Sequence, residues 1–145
     1  MARHGRQTAL MKADRLSKVP VIAIVDDDEA MRDALSELVQ VMGFSTEAFD
    51  GAAAFLADLA PGRFDCLITD VRMPGMDGID LQRRLRALGS AMPVVMITSA
   101  PDPAGRARAL ADGACAYLAK PVDDCALLGH LRSALGRDED DSPGG

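Results

Sequence analysis

The sequence predicts a doubly wound α/β fold: a (βα)5 three-layer sandwich around a parallel sheet in strand order 2-1-3-4-5. Three observations carry this. Short apolar runs alternate along the chain with amphipathic or Ala-rich segments. The Val- and Ile-rich runs lack polar alternation, as strands covered on both faces do. Glycines stand where the intervening helices would stop, and a right-handed βα repeat of this length covers both faces of one sheet.

The first strand is predicted over residues 21–25 (VIAIV), and Met31, Leu35, Leu38 and Met42 then recur at helical spacing before Gly43. FSTEAF (44–49) is the second strand, and Asp50 precedes an Ala-rich helix. CLIT (66–69) is the third, with a helix from Gly78 to Leu88 closed by Gly89. PVVMIT (93–98) is the fourth, and its helix runs from Pro103 to Ala111 ahead of Gly113. AYLA (116–119) is the fifth, and Leu127, Leu128, Leu131 and Leu135 stripe the last helix before Gly136. Asp28 and Asp77 stand where N-caps of the first and third helices belong.

A chain of 145 residues suits one domain with a real core. That domain is expected over 20–137, between a basic N-terminal extension (1–19) and an acidic, Gly-ended tail (138–145). The extension carries Arg3, Arg6, Lys12, Arg15 and Lys18 against Asp14; the tail carries Asp138, Glu139, Asp140 and Asp141. A net charge of −6 and 3% aromatic residues argue against direct nucleic-acid binding. Residues 87–101 form the longest uncharged run, are broken by Gly89 and Pro93, and fall short of the roughly 20 residues that span a bilayer. No apolar secretory segment follows the N-terminal cations. Cys66, Cys115 and Cys125 are an odd set without metal-ligand spacing, expected as small buried hydrophobes in a reducing, cytoplasmic setting. His4 and His130 are expected at the surface, with no partner suited to a general base.

In open α/β sheets ligands bind beyond the carboxyl ends of the strands. Asp26, Asp27 and Asp28 follow the first strand, Asp70 the third, Thr98 ends the fourth, and Lys120 and Pro121 follow the fifth. In the predicted order these ends are neighbours. Asp26, Asp27 and Asp70 would repel one another unless a cation offsets them, and oxygen donors without His or Cys select Mg²⁺ or Mn²⁺. Such a site leaves room for a phosphoryl group, toward which a carboxylate can act as nucleophile.

The stretches IVDDDEAMR (24–32), TDVRMPGMDG (69–78), MITSA (96–100) and GACAYLAKP (113–121) resemble, in order and spacing, the receiver domains of two-component response regulators, the CheY-like superfamily. DVRMPGMDG and the Pro-containing segment after the fourth strand most resemble the FixJ-type subgroup. The resemblance implies Asp70 as phosphoacceptor and Asp27 as direct Mg²⁺ ligand, joined by Asp70 itself and the Arg72 backbone carbonyl, with Asp26 acting through water. It implies Thr98 and Lys120 as stabilisers of the phosphoryl group, a cis bond before Pro121, and Thr98 and Tyr117 as the switch, Tyr117 swinging from an exposed to a buried position. The partners it implies are a sensor histidine kinase or His-phosphotransfer protein, and an output protein or second copy at the fourth helix, fifth strand and fifth helix. Such a module catalyses only its own phosphorylation and dephosphorylation. Val122, where an aromatic often follows the KP, and Arg72 depart from the common pattern.

Rival classes fare worse. A Mg²⁺-dependent phosphatase of the haloacid-dehalogenase type needs a second acid two residues beyond its nucleophile, and Arg72 stands there. A degenerate binding module would have lost an acid, the Thr or the Lys. A FixJ-type transcriptional regulator carries a helix-turn-helix, so the expectation is a single-domain regulator, with a receiver fragment of such a larger protein as the alternative.

Overall fold

In the computed structural model, which describes residues 19–136, the apolar runs form five parallel strands. These are β1 (Val21–Val25), β2 (Ser45–Phe49), β3 (Cys66–Asp70), β4 (Val94–Thr98) and β5 (Ala116–Ala119). Their order is β2-β1-β3-β4-β5, as predicted. Between them lie α1 (Glu29–Val41), α2 (Ala52–Asp58), α3 (Gly78–Ala87) and α4 (Pro103–Ala111), and α5 (Asp124–Ala134) follows β5.

Strand alternation sends successive side chains to opposite faces and splits the core in two. Ala23, Val25, Leu67, Val94 and Met96 pack with Phe55 of α2, Leu81 and Leu85 of α3 and Ala109 of α4. Ile22, Ile24, Ile68, Val95 and Ile97 pack with Leu35 and Val39 of α1 and Leu127 and Leu131 of α5. The three central strands are buried almost throughout, whereas β2 and the end of β5 are partly open because each is an edge. FSTEAF is thus an edge strand, not one covered on both faces. It also starts one residue late: the Phe44 amide bonds the Val39 carbonyl and closes α1 instead of joining the sheet.

Asp28 caps α1 by accepting from the Ala30 amide, and Asp77 caps α3 by accepting from that of Asp80. α2 is capped by Gly51, without a side-chain bond, so Asp50 takes no part. The Lys120–Pro121 bond is cis. Of the cysteines only Cys66 is buried; Cys115 lies exposed on the loop before β5, and Cys125 faces out of α5, off the Leu127 and Leu131 stripe. The expectation of three buried cysteines is therefore corrected. His130 is partly exposed on α5. No helix among the described residues is long and apolar enough to cross a membrane. His4, the basic extension apart from Val19, Arg137 and the acidic tail lie outside the described residues.

Candidate functional site

The sheet registers put the chemistry in one place. Val25 pairs with Thr69, Asp70 with Ile97 and Thr98 with Ala119, so the ends of β1, β3, β4 and β5 stand level. Carboxylate oxygens of Asp26, Asp27 and Asp70 all lie within 4.8 Å of one another. Asp26 is fully buried, Asp70 nearly so, and Asp27 is exposed at the mouth.

Each group is held by its element. The Asp26 amide bonds the Phe49 carbonyl at 3.1 Å. Its Oδ1 accepts from the Asp28 amide at 2.9 Å and its Oδ2 from Lys120 Nζ at 3.2 Å. Lys120 leaves the end of β5 and also reaches Asp70, with Nζ 3.4 Å from Oδ2. One ammonium thus faces two buried carboxylates. Burial, and then the charge of Asp26, raise the Asp70 carboxyl above its ordinary value, while Lys120 and the Arg72 amide pull the other way. For Lys120, burial lowers the ammonium, but hydrogen bonding to Asp26 and the charges of Asp26 and Asp70 outweigh it and leave the net shift upward. The pocket therefore holds more negative charge than Lys120 offsets, and its donors are all carboxylate oxygens. That set fits a hard divalent cation.

Thr98 is fully buried at the end of β4, where its hydroxyl accepts from the Ala100 amide at 3.1 Å. The Lys120 amide bonds the Thr98 carbonyl at 2.8 Å and ties the two strand ends together. Arg72 is exposed on the β3–α3 loop. Tyr117 differs from expectation: its ring is already buried, and its hydroxyl accepts from the Asp102 amide at 3.3 Å. Gly105 makes the room, since a Cβ there would stand 3.2 Å from that hydroxyl. Tyr117 also walls a cleft of about 500 Å³ with Arg72, Met73, Asp102 and Arg108, which the three acids do not line.

Two residues of the site escaped the sequence reading. Gly78 opens α3 with its amide bonded to the Val71 carbonyl at 2.9 Å. A Cβ at Gly78 would collide with the Asp70 carbonyl oxygen, so only glycine lets α3 start against the end of β3. The signal was present as a glycine directly after a capping Asp, where helix formers are favoured. Arg32 of α1 places Nη1 2.9 Å from the Asp26 carbonyl oxygen, and no spacing rule pointed to it.

Comparison with known proteins agrees with this fold. The family described as the response regulator receiver domain matches residues 22–132. The response regulator protein TodT of Pseudomonas putida is 43% identical over 123 residues, covering 85% of this chain and 53% of its own length. The transcriptional regulatory protein FixJ of Bradyrhizobium diazoefficiens is 43% identical over 115 residues, covering 79% of this chain and 56% of its own. The crystal structure of FixJ-N superposes with a TM-score of 0.76 at 32% identity, over 82% of this chain and 95% of that one. The chain spans about half the length of the curated relatives it matches.

Proposed function

Because the chain belongs to the response regulator receiver domain family, we propose that Asp70 accepts a phosphoryl group from a phosphohistidine of a sensor kinase or His-phosphotransfer protein. The observation that carries the reading is the convergence of Asp70, Lys120 and the acidic pair at level strand ends. In the transfer an Asp70 carboxylate oxygen forms a bond to phosphorus as the phosphorus–nitrogen bond of the donor imidazole breaks, and the released nitrogen keeps the electron pair. Lys120 neutralises charge on the phosphoryl oxygens, and the Thr98 hydroxyl turns from the Ala100 amide to donate to one of them. Asp27, Asp70 and the Arg72 carbonyl would hold Mg²⁺, with Asp26 reached through water and Mn²⁺ an acceptable substitute. Mg²⁺, when bound, supplies the positive charge that offsets the attacking carboxylate and the incoming phosphoryl group.

The chain acts on no substrate but itself, and its setting is the cytoplasm. Its output is a surface of α4, β5 and α5, presented to a partner protein or a second copy, with neither nucleic acid nor membrane bound directly. Since the chain spans about half of relatives such as FixJ, service as the receiver part of a larger regulator is the second form of the same reading.

Beryllofluoride, which mimics a phosphoryl group on a carboxylate, tests the reading. With Mg²⁺ it should raise the thermal midpoint of the wild-type chain and leave Asp70→Asn unmoved. No rise in the wild type, or an equal rise in Asp70→Asn, would contradict it.

A further inference from the structure

The acidic pocket hangs on the β1–α1 loop, and one side chain of α1 ties that loop down. β1 pairs only as far as Val25, so the Asp26 carbonyl lies beyond the ladder at a buried residue and needs a donor from elsewhere. Arg32 supplies it, with Nη1 2.9 Å from that oxygen. The Arg32 amide bonds the Asp28 carbonyl at 2.9 Å. Asp28 in turn gives its own amide to the Asp26 carboxylate and caps α1. Arg32 therefore grips both ends of the three-residue loop, through its side chain and its backbone. Asp27, between those ends, is exposed, and its side chain has no hydrogen-bond partner among the described residues. Only the loop backbone sets where its carboxylate points.

We infer that Arg32 is a positioning residue for the cation pocket: by holding the Asp26 carbonyl it keeps the Asp27 carboxylate beside those of Asp26 and Asp70. The inference rests on the Mg²⁺ reading above. Two effects of Arg32 oppose each other. Its charge repels a cation, but Arg32 is only partly buried and that repulsion is screened. Its hold on the loop orients a ligand, and loss of such outer partners typically costs about 10–100-fold in metal affinity. Orientation wins, so removing Arg32 weakens binding even though it removes a positive charge.

The test is a Mg²⁺ titration of the full 145-residue chain, read by calorimetry and by thermal midpoint, in wild type, Arg32→Met, Arg32→Lys and Asp27→Ala. Arg32→Met keeps the stem and loses donor and charge; its Kd should rise about 10-fold. Arg32→Lys keeps a donor and should recover most of that loss. Should Arg32→Met not fold, Arg32→Ala is read in its place. Unchanged or tighter binding in the truncated variant overturns the inference, and so does a lowered metal-free midpoint with an unchanged Kd, which is a merely structural role. Wild-type protein that ignores Mg²⁺, or binding indifferent to Asp27→Ala, contradicts the cation reading itself. Binding lost in Asp27→Ala and untouched in Arg32→Met contradicts only the role given to Arg32.

Discussion

Two glycines, both within helices, should respond to alanine with opposite signs. At Gly78 a new Cβ meets the Asp70 carbonyl oxygen at a separation real Cβ atoms do not adopt, with Val71 Cα at 3.1 Å and the Asp70 carbonyl carbon at 3.2 Å. Every one of these neighbours is backbone of β3 or the residue after it, fixed by the Val71 amide on Ile97 and the Gly78 amide on Val71. No side chain can swing away, so α3 must shift. Overpacking costs about 1–3 kcal/mol, and a rigid neighbour puts Gly78→Ala near the upper end, about 3 kcal/mol. At Gly129, exposed in α5, nothing lies within 4 Å of the built Cβ. There alanine only restricts the unfolded chain and improves helix propensity, a gain of about 0.5–1 kcal/mol. Urea unfolding with chelator present measures both, the midpoints moving apart at a constant slope. Gly78→Ala should also lose Mg²⁺-linked stabilisation, because the shift acts on the Asp70 peptide. A Gly78→Ala stability within about 0.5 kcal/mol of wild type, the range of an ordinary surface substitution, would refute the close-approach argument.

Asp70→Asn should stabilise the metal-free protein at pH 7. The folded Asp70 carboxyl sits above its ordinary value, so its contribution is most favourable below the unfolded value and is lost as pH rises through the folded one. The advantage of Asp70→Asn should therefore shrink as pH falls through the raised Asp70 value, and urea unfolding across that range reads it; a growing advantage would contradict the burial argument. Thr98→Ala should suppress most amide-shift changes that beryllofluoride induces in residues 98–135, since it removes the hydroxyl that would leave the Ala100 amide for a phosphoryl oxygen. Changes confined to the Asp70 loop, or indifferent to Thr98, would remove Thr98 from the switch.

Periodicity and glycine placement made the architecture legible. The predicted bounds of β1 and β5 coincide with the observed strands, because each apolar run stops at a charged residue, Asp26 or Lys120, and starts after a breaker, Pro20 or the Gly113 turn. The convergence of the candidate site was legible too, because its acids, Thr98 and Lys120 all sit at strand ends, where topology alone makes them neighbours. What escaped depends on contacts distant in the fold. Arg32 looks like any exposed-face helix residue until the Asp26 carbonyl is seen without a ladder partner. Gly78 matters only because α3 begins against Asp70. The exposed Tyr117 follows only from the switch that the resemblance implies, and nothing in the strand pattern shows that Gly105, on another element, leaves room for its hydroxyl.

The central claim, that Asp70 is the acceptor, is tested most directly by incubating the chain with acetyl phosphate and Mg²⁺, trapping the acyl phosphate by reduction and mapping the modified peptide. The label should fall on Asp70 alone, vanish with chelator and be absent from Asp70→Asn. Label on Asp26 or Asp27, or label persisting in Asp70→Asn, would contradict the account.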